Sequence, residues 1–431
     1  WIDTIVTKGI MEGAMPGAQV FVAKAGVIVY HKAFGYHDET QARPVKTTDL
    51  YDIASITKIA TTTLAAMRLY NEGQFDLNLP LSNYLKDTIL PASYNHFNIF
   101  RVTPFELLAH QSGLNPSLSI MPYVDYLDSY QKIAAKSTLA LDRAENYPEE
   151  IPQDELMLGE VNEVDPIPAF ESVYPFSEEE AYHFFYTQSA RGNKIARNMY
   201  LRKEFADSLM RSLKYTQGTG EKNYQYACLN MILMQMLIDS ITGSNLDSYA
   251  KEKFFEPLGM KRTTYNPSEK FPLAQIVPSN YDSIWRRQLI HGTVHDPSAA
   301  LMGGIAGNAG LFSTAGDLGI LGQMLLNEGV YNGRRYFDRE VVQLFTHSNE
   351  INHRGLGFDK PFEGGVHARD LSPDAFGHLG YTGTAIWIDP ENEIVFVFLS
   401  NRTMPDSSNN KLSTMGIRQR VHQIVYEAIE R

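Results

Sequence analysis

Tyr51-Asp52-Ile53-Ala54-Ser55-Ile56-Thr57-Lys58, continued by Ile59–Tyr70 (IATTTLAAMRLY), is the stretch on which the reading of this 431-residue chain turns. The small and apolar residues after Asp52 predict a helix over Ile56–Glu72. Positions three apart on a helix share a face, so the Lys58 amine reaches back to the Ser55 hydroxyl. A desolvated amine there can take the hydroxyl proton, or hold a neighbouring base ready to take it. A hydroxyl at the first helical turn also lies beside free backbone N–H groups, which can stabilise an oxyanion. The pattern alone is weak, because Ser-x-x-Lys occurs four times: Ser55/Lys58, Ser129/Lys132, Ser248/Lys251 and Ser408/Lys411. Context separates them. Ser129 falls in an acidic segment, Ser248 on an ordinary amphipathic helix and Ser408 in a polar loop. The competing reading of the first pair makes Asp52 or Ser55 a plain helix N-cap.

Outward from this helix, both ends of the chain read as strands. Ala18–Gly35 (AQVFVAKAGVIVYHKAFG) is strand, turn at Gly26, strand. Thr384–Asp389 and Glu393–Ser400 are two more, joined by a turn at Pro390–Asn392. Ser413–Arg431 has a helical period, with Ile417, Val421, Ile424, Val425 and Ala428 on one face. One sheet built from residues 1–54 and 290–431 is therefore expected, with a helical domain at 55–289 between its halves. Ala227–Thr242 and Ser244–Phe255 are its clearest helices. Residues from about 118 to 222 differ in composition and carry the acidic run PEEIPQDELMLGEVNEVD. They read as a surface insertion or lid, ahead of a substrate-shaping role, with helical patches at Glu178–Phe185 and Ile195–Leu213.

Composition excludes several functions. A net charge of −12 without clustered cations argues against nucleic acid and against an anionic membrane surface. No apolar run approaches the roughly 20 residues of a spanning helix. Cys228 is the single cysteine, which rules out an intramolecular disulfide framework and a Cys-rich metal site. Neither Gly-x-Ser-x-Gly nor His-Glu-x-x-His occurs, and the twelve histidines are scattered. The Gly-rich Gly303–Gly310 (GGIAGNAG) lacks the Lys-Ser/Thr of a phosphate loop, so tight packing beside the active site explains it better. Arg286, Arg287, His295 and Asp296 read as structural ion-pair residues in preference to support for the site. Because the chain begins at Trp1, it is taken as a processed protein or an excised domain, in which a signal peptide would be invisible.

Five segments in order carry a family resemblance: DIASITK (52–58), LLAHQSGL (Leu107–Leu114), YACLNMILMQMLIDSITG (Tyr226–Gly243), FFEPLGMKRT (Phe254–Thr263) and FGHLGYTGTAIWIDP (Phe376–Pro390). Together they resemble the serine β-lactamase-related family, which includes class C β-lactamases, penicillin-binding DD-peptidases, and several esterases and aminopeptidases. The resemblance spans nearly the whole chain outside 118–222. HDPSAALMGGIAGNAGLFSTAGDLG, RGLGFDKP and LSNRTMP look closer to one branch, often found as a C-terminal domain behind a family 3 glycoside hydrolase in Bacteroidota.

The resemblance implies an α+β, β-lactamase/transpeptidase-like fold: an antiparallel sheet flanked by helices, plus an all-helical domain with a large insert. It implies a serine hydrolase working through an acyl-enzyme without a cofactor, on an ester, amide or peptide, with peptidoglycan-derived peptides a fitting class. Ser55 and Lys58 match the nucleophile and its lysine. Tyr226 matches the proton-shuttling tyrosine, with Tyr224 its competitor in register. His378-Leu379-Gly380 matches the third motif, so the amides of Tyr381 and Ser55 are the expected oxyanion hole. A periplasmic or cell-envelope location and an upstream glycoside hydrolase domain are implied in the same way.

Two departures matter. Cys228 stands where the second motif usually has Asn, and a thiol cannot make the bidentate amide contact that grips a β-lactam side-chain carbonyl. His378 stands where the third motif usually has Lys, and it holds no permanent charge at neutral pH. Both argue against an efficient β-lactamase and toward an esterase, amidase or peptidase. A non-catalytic muropeptide-binding module of the same fold, and a true β-lactamase or DD-carboxypeptidase, are the alternatives. Cys228 as nucleophile is disfavoured, since its helix reads as buried and apolar.

Overall fold

The computed structural model describes residues 1–85, 101–116, 185–186, 192–197, 199–202, 221–349 and 352–429. The Ser129/Lys132 pair, the acidic run and nearly all of the Glu178–Phe185 patch lie outside them.

Five antiparallel strands form the main sheet: β1 (Gly17–Lys24), β2 (Val27–Gly35), β3 (Phe376–Leu379), β4 (Ala385–Asp389) and β5 (Ile394–Ser400), in the order β3-β4-β5-β1-β2. The two ends of the chain meet where β1 pairs with β5, Ala18 opposite Ser400 and Lys24 opposite Ile394. The apolar run of β5 is explained by burial on both faces, since successive side chains point to opposite sides of a strand. Val395, Val397 and Leu399 join one core, together with Phe21, Leu318 and Leu321. Ile394, Phe396 and Phe398 join the other, with Val6, Ile417 and Val421. Helix α1 (Ile2–Met11) and the C-terminal helix thus cover one face, while the Ala315–Leu326 helix covers the face toward Ser55.

On that inner side the core continues into the helices around Ser55. A π-helical turn at Lys58–Thr63 leads into α2 (Leu64–Asn71), and both are almost wholly buried. Helix α3 (Cys228–Thr242) packs beside them and is apolar nearly all round, as a helix enclosed by protein must be. The expected α+β architecture, an antiparallel sheet with helices on its faces, is what the chain adopts. The helix expected over Ile195–Leu213 is not found at its start, where Gly192–Ala196 and Met199–Arg202 are antiparallel strands, the second also pairing with Phe185–Tyr186; residues 203–213 lie outside the described residues. Tertiary contacts override the weak helical preference. Asn193 Nδ2 donates to the Leu301 carbonyl at 3.4 Å, and Arg286 Nη1 to that of Ile195 at 3.5 Å.

Candidate active site

Ser55 is placed by a short three-stranded ribbon in which Tyr51–Asp52 pairs with Leu311–Ser313, and that strand with Thr264–Tyr265. The chain then turns sharply at Ala54, whose φ of 47° is left-handed, a conformation costing a non-glycine residue about 1–2 kcal/mol. Asp52 holds the turn. Its Oδ1 accepts from the Ala54 amide at 2.8 Å and its Oδ2 from the His295 amide at 2.7 Å. Asp52 is therefore not the helix N-cap; it clamps the turn that presents Ser55. Burial raises its carboxyl to about 6 against these two donors. From Ser55 the chain winds tightly, with Lys58 N donating to Ser55 O at 3.0 Å, so the lysine emerges one turn on, on the same side.

Lys58 Nζ lies 2.7 Å from Ser55 Oγ, 2.9 Å from the Asn308 carbonyl and 3.5 Å from Cys228 Sγ. The side chain is wholly buried. Burial alone would push the amine down, but Cys228, Tyr226 and Asp296 outweigh it and hold the proton on. The Tyr226 hydroxyl is within hydrogen-bond reach of both Lys58 and Ser55, and its ring lies 5.2 Å from Nζ. Burial raises the Tyr226 phenol, and the Lys58 charge pulls it back. Tyr224 points elsewhere: it is exposed, with its hydroxyl 3.5 Å from Arg354 Nη1. The structure thus brings Tyr226, not its register competitor, to the pair. Cys228 is half-buried at the first turn of α3, close enough to touch Lys58.

His378 ends β3 across the cleft, its ring 6.1 Å from that of Tyr226. Nδ1 lies 2.7 Å from the Leu379 carbonyl, which fixes the proton there. Nε2 is left as a buried acceptor with no partner among the described residues. Burial depresses the imidazole to about 4, although Asp359 opposes this, so the ring is neutral. Gly380 follows because nothing larger fits: a Cβ would stand 1.9 Å from Thr384 Oγ1 and 2.6 Å from the Ile53 carbonyl. Thr382 Oγ1 bonds the Asp52 carbonyl at 2.7 Å and Thr384 Oγ1 that of Ile53 at 3.1 Å, tying this turn to the Ser55 loop. Tyr381, next in sequence, turns its ring outward between His295, stacked at 5.5 Å, and Arg402.

Several residues of the site went unread in the sequence. Asn308 lends its carbonyl to Lys58, and the packing expected of Gly303–Gly310 is why it can: a Cβ on Gly307 would lie 2.1 Å from the Met231 carbonyl. Arg354 is buried and ion-paired with Asp359, its guanidinium 5.5 Å from the Tyr226 ring. His110, inside the quoted LLAHQSGL, packs against Tyr226 at 4.5 Å. Arg286 takes the structural ion-pair part expected of it, whereas Asp296 also bears on the site through its charge near Lys58. Arg286 pairs with Asp282 and bonds the carbonyls of Val294 and His295. Asp296 caps the Pro297–Leu301 helix and accepts from Asn308. Ser248 and Ser408 lie in a short helix and a loop, away from this cluster.

A sequence model described as Beta-lactamase matches residues 2–147 and 186–414. The chain belongs to the Beta-lactamase family. Within it, the chain is 27% identical over 427 residues to the N-acetylmuramyl-L-alanine amidase of Bacillus subtilis, covering 93% of this chain and 80% of that one. The D-amino acid amidase of Ochrobactrum anthropi SV3, solved with L-phenylalanine amide, shares the fold at a TM-score of 0.62 and 16% identity, over 99% of this chain and 98% of that one. The octameric penicillin-binding protein homologue of Pyrococcus abyssi does so at 0.57 and 21%, over 96% and 76%. As a member of the Beta-lactamase family the chain is a serine hydrolase. Among the described residues no helix is long and apolar enough to cross a membrane.

Proposed function

We propose that Ser55 is the nucleophile of an amide- or peptide-cleaving acyl transfer, with Lys58 and Tyr226 moving the protons. The observation that carries this is the 2.7 Å contact between Ser55 Oγ and the fully buried Lys58 Nζ, with the Tyr226 hydroxyl in reach of both. Ser55 Oγ attacks the substrate carbonyl and gives its proton to the Tyr226 oxygen, which acts as a phenolate favoured by the Lys58 ammonium beside it. The oxyanion rests between the amides of Ser55 and Tyr381, brought together by the hydrogen bonds of Thr384 to the Ile53 carbonyl and of Thr382 to that of Asp52. Tyr226 returns the proton to the leaving nitrogen. Water then repeats the sequence on the ester carbonyl and frees Ser55.

A carboxylate-bearing β-lactam is disfavoured, because the third motif offers the neutral acceptor Nε2 of His378 where a cation would be needed. Amides of D-amino acids and peptidoglycan-derived peptides suit the site better, a choice supported by the names of the Bacillus and Ochrobactrum proteins. Such substrates place the protein in the cell envelope, where the finer branch resemblance adds an upstream glycoside hydrolase.

Intact-mass spectrometry after exposure to a fluorophosphonate tests this, on the natural chain and on Ser55→Ala. A single adduct absent from Ser55→Ala is expected. A folded natural chain that takes up no probe would overturn the proposal and favour a muropeptide-binding module.

A further inference from the structure

Tyr226 lies on the segment just before α3, and one residue grips that segment on both sides. The main-chain oxygen of His110 accepts from the Gln225 amide at 2.9 Å, and His110 Nδ1 accepts from the Ala227 amide at 3.1 Å. Between these two anchors the His110 ring lies 4.5 Å from the Tyr226 ring, tilted by 33°. A φ of 54° puts His110 in the left-handed region, which for a non-glycine residue persists only where its surroundings enforce it. Asn230 supplies part of that enforcement. Its Nδ2 lies 3.3 Å from His110 Nδ1 and donates to the Leu107 carbonyl at 3.1 Å, while its Oδ1 accepts from the Ser112 hydroxyl at 2.7 Å.

A backbone amide can only donate, so His110 Nδ1 must be unprotonated and the ring proton sits on Nε2. Burial, then the charges of Arg354 and Lys58, hold the imidazole well below its ordinary range, so this tautomer persists. Histidine here combines an acceptor one bond from the ring junction, a flat face for the tyrosine and a neutral state beside two cations.

Resting on the Ser55 acylation proposed above, we infer that His110 is the positioning residue for Tyr226. It fixes the backbone on both sides of the tyrosine and backs its ring, so that the hydroxyl stays against Ser55 and Lys58. His110 touches neither substrate nor the reacting oxygen. Its effect passes through Tyr226 alone.

The experiment measures the second-order rate of fluorophosphonate labelling, and its pH profile, for the natural chain, His110→Gly, His110→Asn, Tyr226→Phe and the double variant His110→Gly/Tyr226→Phe. Glycine and asparagine both tolerate the left-handed backbone, but only asparagine keeps an acceptor where Nδ1 stands. His110→Gly is expected to label about 10- to 100-fold more slowly, with His110→Asn recovering most of the rate. In the Tyr226→Phe background the glycine change should cost less than about threefold, because the group it positions has gone. Additive effects in the double variant, or His110→Asn as impaired as His110→Gly, would overturn the inference. If circular dichroism shows His110→Gly unfolded, His110→Asn and His110→Gln replace it. Gln moves the acceptor outward and should label at least tenfold more slowly than Asn, and equal rates would refute the role. A natural chain that never labels at Ser55 removes the underlying reading instead, which keeps the two failures apart.

Discussion

Gly380→Ala is a one-methyl change whose effect can be worked from the structure. The added Cβ would stand 1.9 Å from Thr384 Oγ1 and 2.6 Å from the Ile53 carbonyl, where ordinary contact begins near 3.4 Å. The hydroxyl cannot swing aside freely, since it bonds the Ile53 carbonyl at 3.1 Å. The carbonyl is backbone of the Ser55 loop and cannot yield alone. Relief therefore requires the turn after β3 to back away from that loop by about 1 Å, carrying the Tyr381 amide with it. Overpacking of this kind costs about 1–3 kcal/mol of stability. A shift near 1 Å in a reacting geometry costs about 10²-fold in rate, and loss of one oxyanion donor about 10²- to 10³-fold. Gly380→Ala should thus remain folded, melt a few degrees lower and label with fluorophosphonate about 100-fold more slowly. Gly333→Ala is the control: its φ of 74° carries a left-handed penalty that Gly380 does not, but nothing lies within 4 Å of its Cβ. It should lose stability and keep its rate. Labelling of Gly380→Ala at the natural rate would refute the argument that this turn is docked on the Ser55 loop to hold an oxyanion donor.

Two further outcomes follow from the same geometry. His378 is buried and its folded-state pKa, about 4, lies below the ordinary 6.5, so the folded chain binds fewer protons than the unfolded one between those values. The stability this group contributes is complete above pH 6.5 and is lost on acidification, reaching about 3 kcal/mol at pH 4. Urea midpoints of the natural chain and His378→Gln should therefore converge as pH falls from 7 to 4.5, and a gap that stays constant would contradict the buried neutral imidazole. Cys228→Asn returns an amide to a position 3.5 Å from Lys58 Nζ. Acylation by a chromogenic cephalosporin should rise about tenfold, the worth of one good hydrogen bond, and an unchanged rate would show that the thiol is not what limits β-lactam recognition.

What the sequence made legible was whatever depends on short spacing. Ser55 and Lys58 are one helical turn apart, so their contact is a local property, and the burial of β5 on both faces is written in its unbroken apolar run. The start of the segment read as a helix at Ile195–Leu213 misled because its pattern is too mixed to fix a state, and strand pairing decided Gly192–Ala196 and Met199–Arg202. The supporting groups of the site were out of reach for another reason. Asn308 acts through its carbonyl, which every residue type possesses. Arg354 and Asp359 face Tyr226 and His378 from a loop more than 120 residues beyond Tyr226, by an ion pair whose spacing of five carries no chemical signature. Asp52 entered the sequence reading only as one of two possible helix caps, because caps precede helices. What distinguishes it is the His295 amide, some 240 residues away in sequence, which takes its second oxygen.

The arrangement around Lys58 also bears on which group acts as base. Among the described residues, Nζ donates to the Asn308 carbonyl, which can only accept, and faces Ser55 Oγ and Cys228 Sγ, which can accept or donate. The nitrogen must donate to the carbonyl, and the charges around it hold its proton on against burial. With Lys58 already protonated, the Ser55 proton has no vacancy on nitrogen to enter. On the proposed mechanism it goes to Tyr226 as its phenolate, the form that the Lys58 charge favours against burial. In the mechanism proposed above, Lys58 works chiefly as a fixed positive charge that lowers the cost of ionising the tyrosine, and the tyrosine carries the proton from Ser55 to the leaving group. On that proposal a neutral His378 is no obstacle: a cation is buried at the centre of the site, held by a backbone carbonyl that no side-chain substitution removes.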